Sequence, residues 1–403
     1  MKNLTLISLT ALTMTACAPK AISYPDAPSD PTVVDTYFGT EVADPYRPLE
    51  NDTALTTKQW VDAENAITRD YLDKIPFRKA VYDRLMTIAD YPKKGTPWKN
   101  GDWYYFYEND GLQNQSVLYR TKDLNSDTKE VFLDPNTLST DGTVALTGIS
   151  ISNDGKYTAY TISRSGSDWT EIYVMDTESR QLLDDHIEWA KFTGAHWAGD
   201  GFYYSAYDRP VEGKEFSNAN ENHRIYYHRI GTPQSDDTLA YEDAANPLHF
   251  HSAYVPEEEN LLFVYGSGQG LGNSVMVKKL GNSNSGWTVI EPTQDYQISI
   301  LNVADGKIYF HTNYGAPRYR IMTAPVNAPQ RSNWKELIPE TEGVLSGAYF
   351  TGKDGMILLY ETDAYNQAYL YNTDGKKICD IDLPGIGTAG FSTDTKHDEV
   401  YYS

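Results

Sequence analysis

Apolar residues recur along this chain with two different periods, and the change of period divides it. From Ser23 to Pro48 there is no period, and the Pro- and Asp-rich stretch reads as an extended arm. Behind it, Trp60, Ala63, Ile67 and Tyr71 fall at helical spacing, and Thr56 with Gln59 three residues on has the form of a capping box. A second helical pattern starts at Pro76, puts Phe77, Val81, Leu85 and Ile88 on one face, and ends before Pro92. Two amphipathic helices with no bundle around them must pack on something else.

From Trp98 onward the period is two. A turn carrying Asp, Gly or Glu leads into an alternating aromatic or aliphatic strand, and the pattern repeats seven times. The strands are Trp103-Tyr104-Tyr105-Phe106, Tyr157-Thr158-Ala159-Tyr160, Phe202-Tyr203-Tyr204, Leu261-Leu262-Phe263, Ile308-Tyr309-Phe310, Met356-Ile357-Leu358-Leu359 and Val400-Tyr401-Tyr402. The starts lie about 49 residues apart, the length of a four-stranded propeller blade with modest insertions. The expected fold is mainly β: a seven-bladed β-propeller of six full blades and an incomplete seventh, preceded by two N-terminal α-helices. The seventh unit holds chain for about two strands, fewer than a closed blade needs.

Composition narrows the picture. Among 403 residues there are 34 Lys+Arg against 56 Asp+Glu, a net charge of −22, and no basic stripe. Such a surface repels phosphates, which argues against nucleic acid as a partner. The 32 tyrosines suit blades, where a ring packs between sheets while its hydroxyl reaches the wet edge.

The first residues read as an address. Lys2 supplies a positive start, Leu4 to Met14 are mostly apolar, and Met14-Thr15-Ala16-Cys17 places small residues before a cysteine. The apolar run is too short to span a membrane. The segment resembles a bacterial lipoprotein signal, which implies lipidation of Cys17, a membrane anchor, and residence in the periplasm or outer membrane. Ordinary secretion with cleavage near Ala16 is the alternative. With Cys17 lipidated, Cys379 has no disulfide partner, and its place in the strand-like run 377–381 reads as a small core residue.

Motifs for chemistry within the chain are few. A hydrolase serine sits on a strained turn written Gly-x-Ser-x-Gly, which lets its Oγ project. Ser150, Ser274 and Ser392 each follow a glycine two residues earlier, but none has the closing glycine. No catalytic residue is assigned. His249-Phe250-His251 puts two imidazoles on one face of an extended segment, a spacing able to hold a metal, yet the spacing reveals no third ligand. Ordinary polar strand residues are the favoured reading, and neither metal nor cofactor is assigned. The Gly-rich run 266–272 precedes a strand-like Val275-Met276-Val277, so it reads as a flexible blade loop and not as a phosphate cradle.

A family resemblance runs through the mature chain. Asp44-Pro45-Tyr46-Arg47 and Trp60-Val61-Asp62-Ala63-Glu64-Asn65 resemble the N-terminal segment of prolyl oligopeptidases. So do Gly111-Leu112-Gln113-Asn114-Gln115-Ser116, Leu133-Asp134-Pro135-Asn136, Ser163-Arg164-Ser165-Gly166-Ser167-Asp168-Trp169, Trp189-Ala190-Lys191-Phe192 and Tyr226-Tyr227-His228-Arg229-Ile230-Gly231-Thr232. Pro48 departs from the family, which usually carries tryptophan there. The resemblance implies a serine endopeptidase that cleaves short peptides after proline, with a propeller gating access to an α/β-hydrolase domain that follows it. That domain and its triad are not found in these 403 residues, so the chain is expected to be inactive alone.

The implied organisation is a signal over 1–16, an arm and helices over 17–95 that pack on the hydrolase domain, and a propeller over 96–403 truncated in its last blade. By motif, Phe192 and Phe250 are the side chains expected to line the substrate pocket. Partners would be short proline-containing peptides and the hydrolase domain, missing or separately encoded. A stand-alone periplasmic propeller, acting as a binding or complementing subunit without catalysis, is the alternative.

Overall fold

The computed structural model describes residues 22–211, 215, 219–256, 260–268, 270–281 and 285–403. The signal segment and Cys17 lie outside them. The chain forms two compact units, one running through Arg84 and including the stretch that starts at Pro210, the other Leu85–Arg209 with Ala219–Ser403.

In the first unit the arm is not simply extended. Strands Val34–Tyr37 and Thr40–Ala43 pair as a hairpin, turned by Phe38 and Gly39 at φ 51° and 84°. Arg47 of the Asp-Pro-Tyr-Arg motif ties the arm together, reaching Asp44 at 2.9 Å and Asp35 at 3.0 Å. Helix α1 spans Leu55–Asp73 and helix α2 Arg78–Ala89. The capping box does not form. Thr56 is already helical and Ala54 takes the N-cap position without a side-chain bond. Asn51 Oδ1 instead accepts from the amides of Thr53 and Ala54 just upstream. Val61, Tyr71, Phe77 and Val81 are exposed, as are Leu85 and Ile88 where α2 runs into the second unit.

In the second unit each strand signature lands on a strand, and in every four-stranded sheet that strand pairs with the one before it and the one after it. The first sheet covers Lys93–Leu133, with Lys93–Lys94 and Trp98–Asn100 sharing one edge of Trp103–Asn109. The second covers Val144–Lys191 and the third His196–Tyr241, and the pair Ala190↔Ala206 joins them. The fourth, fifth and sixth cover 250–291, 298–338 and 344–381. A two-stranded pair, Phe391–Ser392 with Tyr401–Tyr402, follows.

The core is laid between consecutive sheets, which explains the alternation. On the strand Leu261–Ser267, Leu261 and Phe263 join Ile308 and Phe310 of the fifth sheet. Their neighbours Leu262 and Val264 pack with Ile225 of the third. One strand thus feeds two apolar layers, because successive side chains point to opposite faces and both are covered.

Amide side chains staple several sheets to the next. Gln115 donates to the Val144 carbonyl at 2.7 Å and accepts from the Leu146 amide at 2.9 Å. Asn273 does the same to Ile298, at 3.0 and 3.1 Å. Asn366 accepts from Ala389 at 2.7 Å, fastening the sixth sheet to the terminal pair. That pair also meets the first sheet: Glu399 accepts from Lys99 at 3.1 Å and from the Tyr104 hydroxyl at 2.9 Å, and Tyr104 meets Tyr401 edge to face at 6.1 Å.

Two buried charge clusters join neighbouring sheets. His228, fully buried, spans Asp185 Oδ1 at 3.0 Å and Asp237 Oδ1 at 2.7 Å. The Tyr204 hydroxyl donates to Asp237 at 2.7 Å and the Gly231 amide to Asp185 at 2.6 Å. Burial pulls the His228 pKa down, but its bonds to and charge attraction by Asp237 and Asp185 outweigh burial and raise it. Arg120, equally buried, reaches Glu130 and the Thr177 and Glu178 carbonyls, the latter two at 2.7 and 3.2 Å, with its guanidinium 4.3 Å above the Trp103 ring.

One core expectation is corrected. Cys379 is exposed. Its strand, Lys377–Ile381, is the outer edge of the sixth sheet, and Lys377 through Asp380 all face water. At the end of the Gly-rich run, Gly272 and Asn273 donate to the Gln294 and Tyr296 carbonyls at 2.8 and 2.9 Å. A Cβ at Gly272 would fall 1.9 Å from the Tyr296 oxygen, so that approach requires glycine.

Candidate functional site

The strand Leu182–Lys191 ends one residue before Phe192, which sits at φ 52°. Positive φ is costly for a bulky residue, and here it accompanies a ring left 54% exposed. Phe250 opens the strand Phe250–Tyr254 and is 40% exposed. The two residues expected at the site, 58 positions apart in sequence, meet edge to face with centroids 5.2 Å apart at 88°. Such a pair favours burial of an apolar guest against it.

Both rings line a recess of about 300 Å³ together with His223, His251, Ser252 and Ser267. Its polar side is fixed by backbone bonds. His223 Nε2 lies 3.0 Å from the Lys191 carbonyl and so carries the proton, leaving Nδ1 to accept from the His251 amide at 2.9 Å. His251 Nδ1 lies 2.8 Å from the His223 carbonyl and so is also protonated. Burial holds the His223 pKa down at about 4 and lowers that of His251, so both imidazoles are neutral at ordinary pH. Among the described residues, neither recess serine hydrogen-bonds an imidazole.

The wall behind Phe192 is aromatic. Trp169 meets Trp189 at 5.5 Å and Tyr207 at 6.0 Å. The nearly buried Lys191 ammonium lies 4.7 Å above Trp169 and 5.4 Å from the Phe192 ring centroid. The motifs at 163–169 and 189–192 therefore build one side of the site. Among the described residues, the recess offers apolar rings and neutral imidazoles.

Ser150, Ser274 and Ser392 all lie on strands, the wrong place for a nucleophile on a strand-to-helix turn. Sequence reasoning missed Asp243. Its carboxylate, the His249 ring and the His251 ring offer ligand atoms all within 4.8 Å of one another. The turn from Asp243 to His249 creates this approach, and no simple spacing announces it.

The packed four-stranded sheets are those of a β-propeller. Residues 25–403 match the family model "Prolyl oligopeptidase, N-terminal beta-propeller domain", and the chain belongs to that family. It is 39% identical over 375 residues to a prolyl endopeptidase of Elizabethkingia miricola, across 92% of this chain and 52% of the relative. Prolyl oligopeptidase A of Amanita bisporigera is 34% identical over 393 residues, across 88% and 51%. A solved structure of prolyl oligopeptidase B from Galerina marginata, bound to a 35mer hydrolysis and macrocyclization substrate, matches with a TM-score of 0.80 at 25% identity. That match covers 94% of this chain and 56% of the other. The chain spans about half the length of the curated relatives it matches.

Proposed function

We propose that this chain is the propeller portion of a prolyl oligopeptidase-like serine endopeptidase and gates short peptides toward an α/β-hydrolase domain that carries the triad. The observation that carries the reading is the Phe192–Phe250 pair, two half-exposed rings set edge to face at the mouth of a recess. A pyrrolidine ring is a suitable guest for such a surface. The exposed apolar residues of α1 and α2 support a packed partner, because a surface of that kind is covered in a working protein.

Residues 17–403 alone are expected not to hydrolyse a proline-containing chromogenic peptide, whereas a fusion to the hydrolase portion of the Elizabethkingia miricola relative is expected to turn it over. Hydrolysis by 17–403 alone, abolished by a serine-directed inhibitor, would overturn the assignment. In the active fusion, Phe192→Ala is expected to raise KM about tenfold with little change in kcat, the cost of losing most of one buried ring's contact. An unchanged KM would remove Phe192 from the substrate surface.

For Cys17 we propose lipidation, which would place the protein on a bacterial envelope membrane. Mass spectrometry of the mature N-terminus is expected to find diacylglyceryl-modified Cys17. An unmodified N-terminus would instead indicate plain secretion.

A further inference from the structure

We propose that Asp243, His249 and His251 form a binding site for a single divalent transition-metal ion with the ligand preferences of zinc. The donors are two imidazole nitrogens and a carboxylate oxygen within 4.8 Å of one another, the set that three-ligand zinc sites use while leaving a fourth position open.

The site is prearranged by its own hydrogen bonds. His251 is 3% exposed, and its Nδ1–H is committed to the His223 carbonyl at 2.8 Å. Its Nε2 therefore carries a lone pair, and that atom has no hydrogen-bond partner among the described residues. A ring proton held by a backbone carbonyl is the usual support for a metal-binding imidazole, because it fixes both tautomer and ring plane. His249 presents Nδ1 at 4.0 Å from Asp243 Oδ2.

The segment between the two is held by its own turn. Asp243 accepts from the Ala245 amide at 3.2 Å and the Asn246 side chain at 2.9 Å, and the His249 amide donates to the Asn246 carbonyl at 3.0 Å. The facing strand makes room. Gly266 pairs with His251, and a Cβ on Gly268 would lie 2.4 Å from His249 Cδ2, so a larger residue there would push the ring off the site. Among the described residues the hydrogen-bond partner of the His249 ring is the Gln294 amide, with Nε2 3.2 Å from Nδ1 and 3.4 Å from the ring Nε2, and a cation at the site would displace it.

His251 also lines the recess beside Phe250. The metal site stands whether or not the recess takes a proline peptide, and its test does not use turnover.

The experiment is titration of metal-free chain 17–403 with Co²⁺ alone, followed by visible absorption and calorimetry, then competition with Zn²⁺. One equivalent is expected to bind with ligand-field bands, and Zn²⁺ to displace it. Asp243→Asn and His249→Gln, both changes at partly exposed positions, are each expected to weaken binding about tenfold or more. His251→Asn retains a donor toward the His223 carbonyl but loses Nε2, and is expected to abolish the site. Metal-free thermal midpoints of Asp243→Asn and His249→Gln close to the parent's verify folding. Absence of stoichiometric binding, or affinity unchanged in Asp243→Asn and His249→Gln, would overturn the proposal.

Discussion

Replacing His228 with alanine is expected to destabilise the fold by about 3–5 kcal/mol, because two buried aspartates lose the cation between them. Asp185 comes from the second sheet, while His228 and Asp237 belong to the third, so the loss also loosens the joint between sheets. The effect depends on pH with a definite sign. The folded pKa of His228 lies above its unfolded value. Its contribution is therefore complete below the unfolded value of about 6.5 and is lost as pH rises through the folded one. Urea unfolding of parent and variant across about pH 5.5 to 9.5 tests this, since the difference in stability should be greatest at the acid end and shrink on the alkaline side. A difference that is flat or grows with pH would mean that the histidine is neutral in the native state.

Arg120→Ala is expected to cost about 3 kcal/mol by chemical denaturation. The residue is 2% exposed, and its side chain donates to two carbonyls of the second sheet and to Glu130 of the first, and lies on Trp103. Alanine leaves the buried Thr177 carbonyl without this donor and opens a gap beside the indole. Arg120→Lys keeps the charge, but one ammonium cannot match a planar fork with three recipients, so roughly half the loss should remain. Arg229, whose side chain is 68% exposed and pairs with Asp200, sets the contrast. Arg229→Ala is expected to cost less than about 1 kcal/mol. Equal losses for Arg120→Ala and Arg229→Ala would show that the buried fork contributes nothing beyond a surface pair.

Local, periodic features of this fold were legible in the sequence. Each turn-and-strand signature marks a strand because residues two apart share a face and both faces are packed, as Leu261 to Val264 show. The helices were legible for the same reason at the other period. Phe192 and Phe250 were singled out one at a time through their motifs, but their meeting at 5.2 Å was not legible.

Features that depend on approach through space were not legible. The hairpin at 34–43 turns through Phe38, a residue that gives no turn signal. Cys379 looked like core because its run is strand-like, and only the position of that strand at a sheet edge puts it in water. Thr56 and Gln59 have the spacing of a cap, yet the helix starts ahead of them because Asn51 has already turned the chain. Asp243 joins His249 and His251 only through a turn that no period describes.

The seam between Glu399 and the pair Lys99 and Tyr104 sets an order of events during folding. Nearly every strand pairing in the second unit joins neighbours in the chain, so each sheet is able to form from its own residues alone. The seam joins residues 300 positions apart and must wait until all six sheets have been made. Until then Tyr104 and the edge of the first sheet stand open to water and to other chains. The acidic surface, with its net charge of −22, helps to keep such half-made molecules apart.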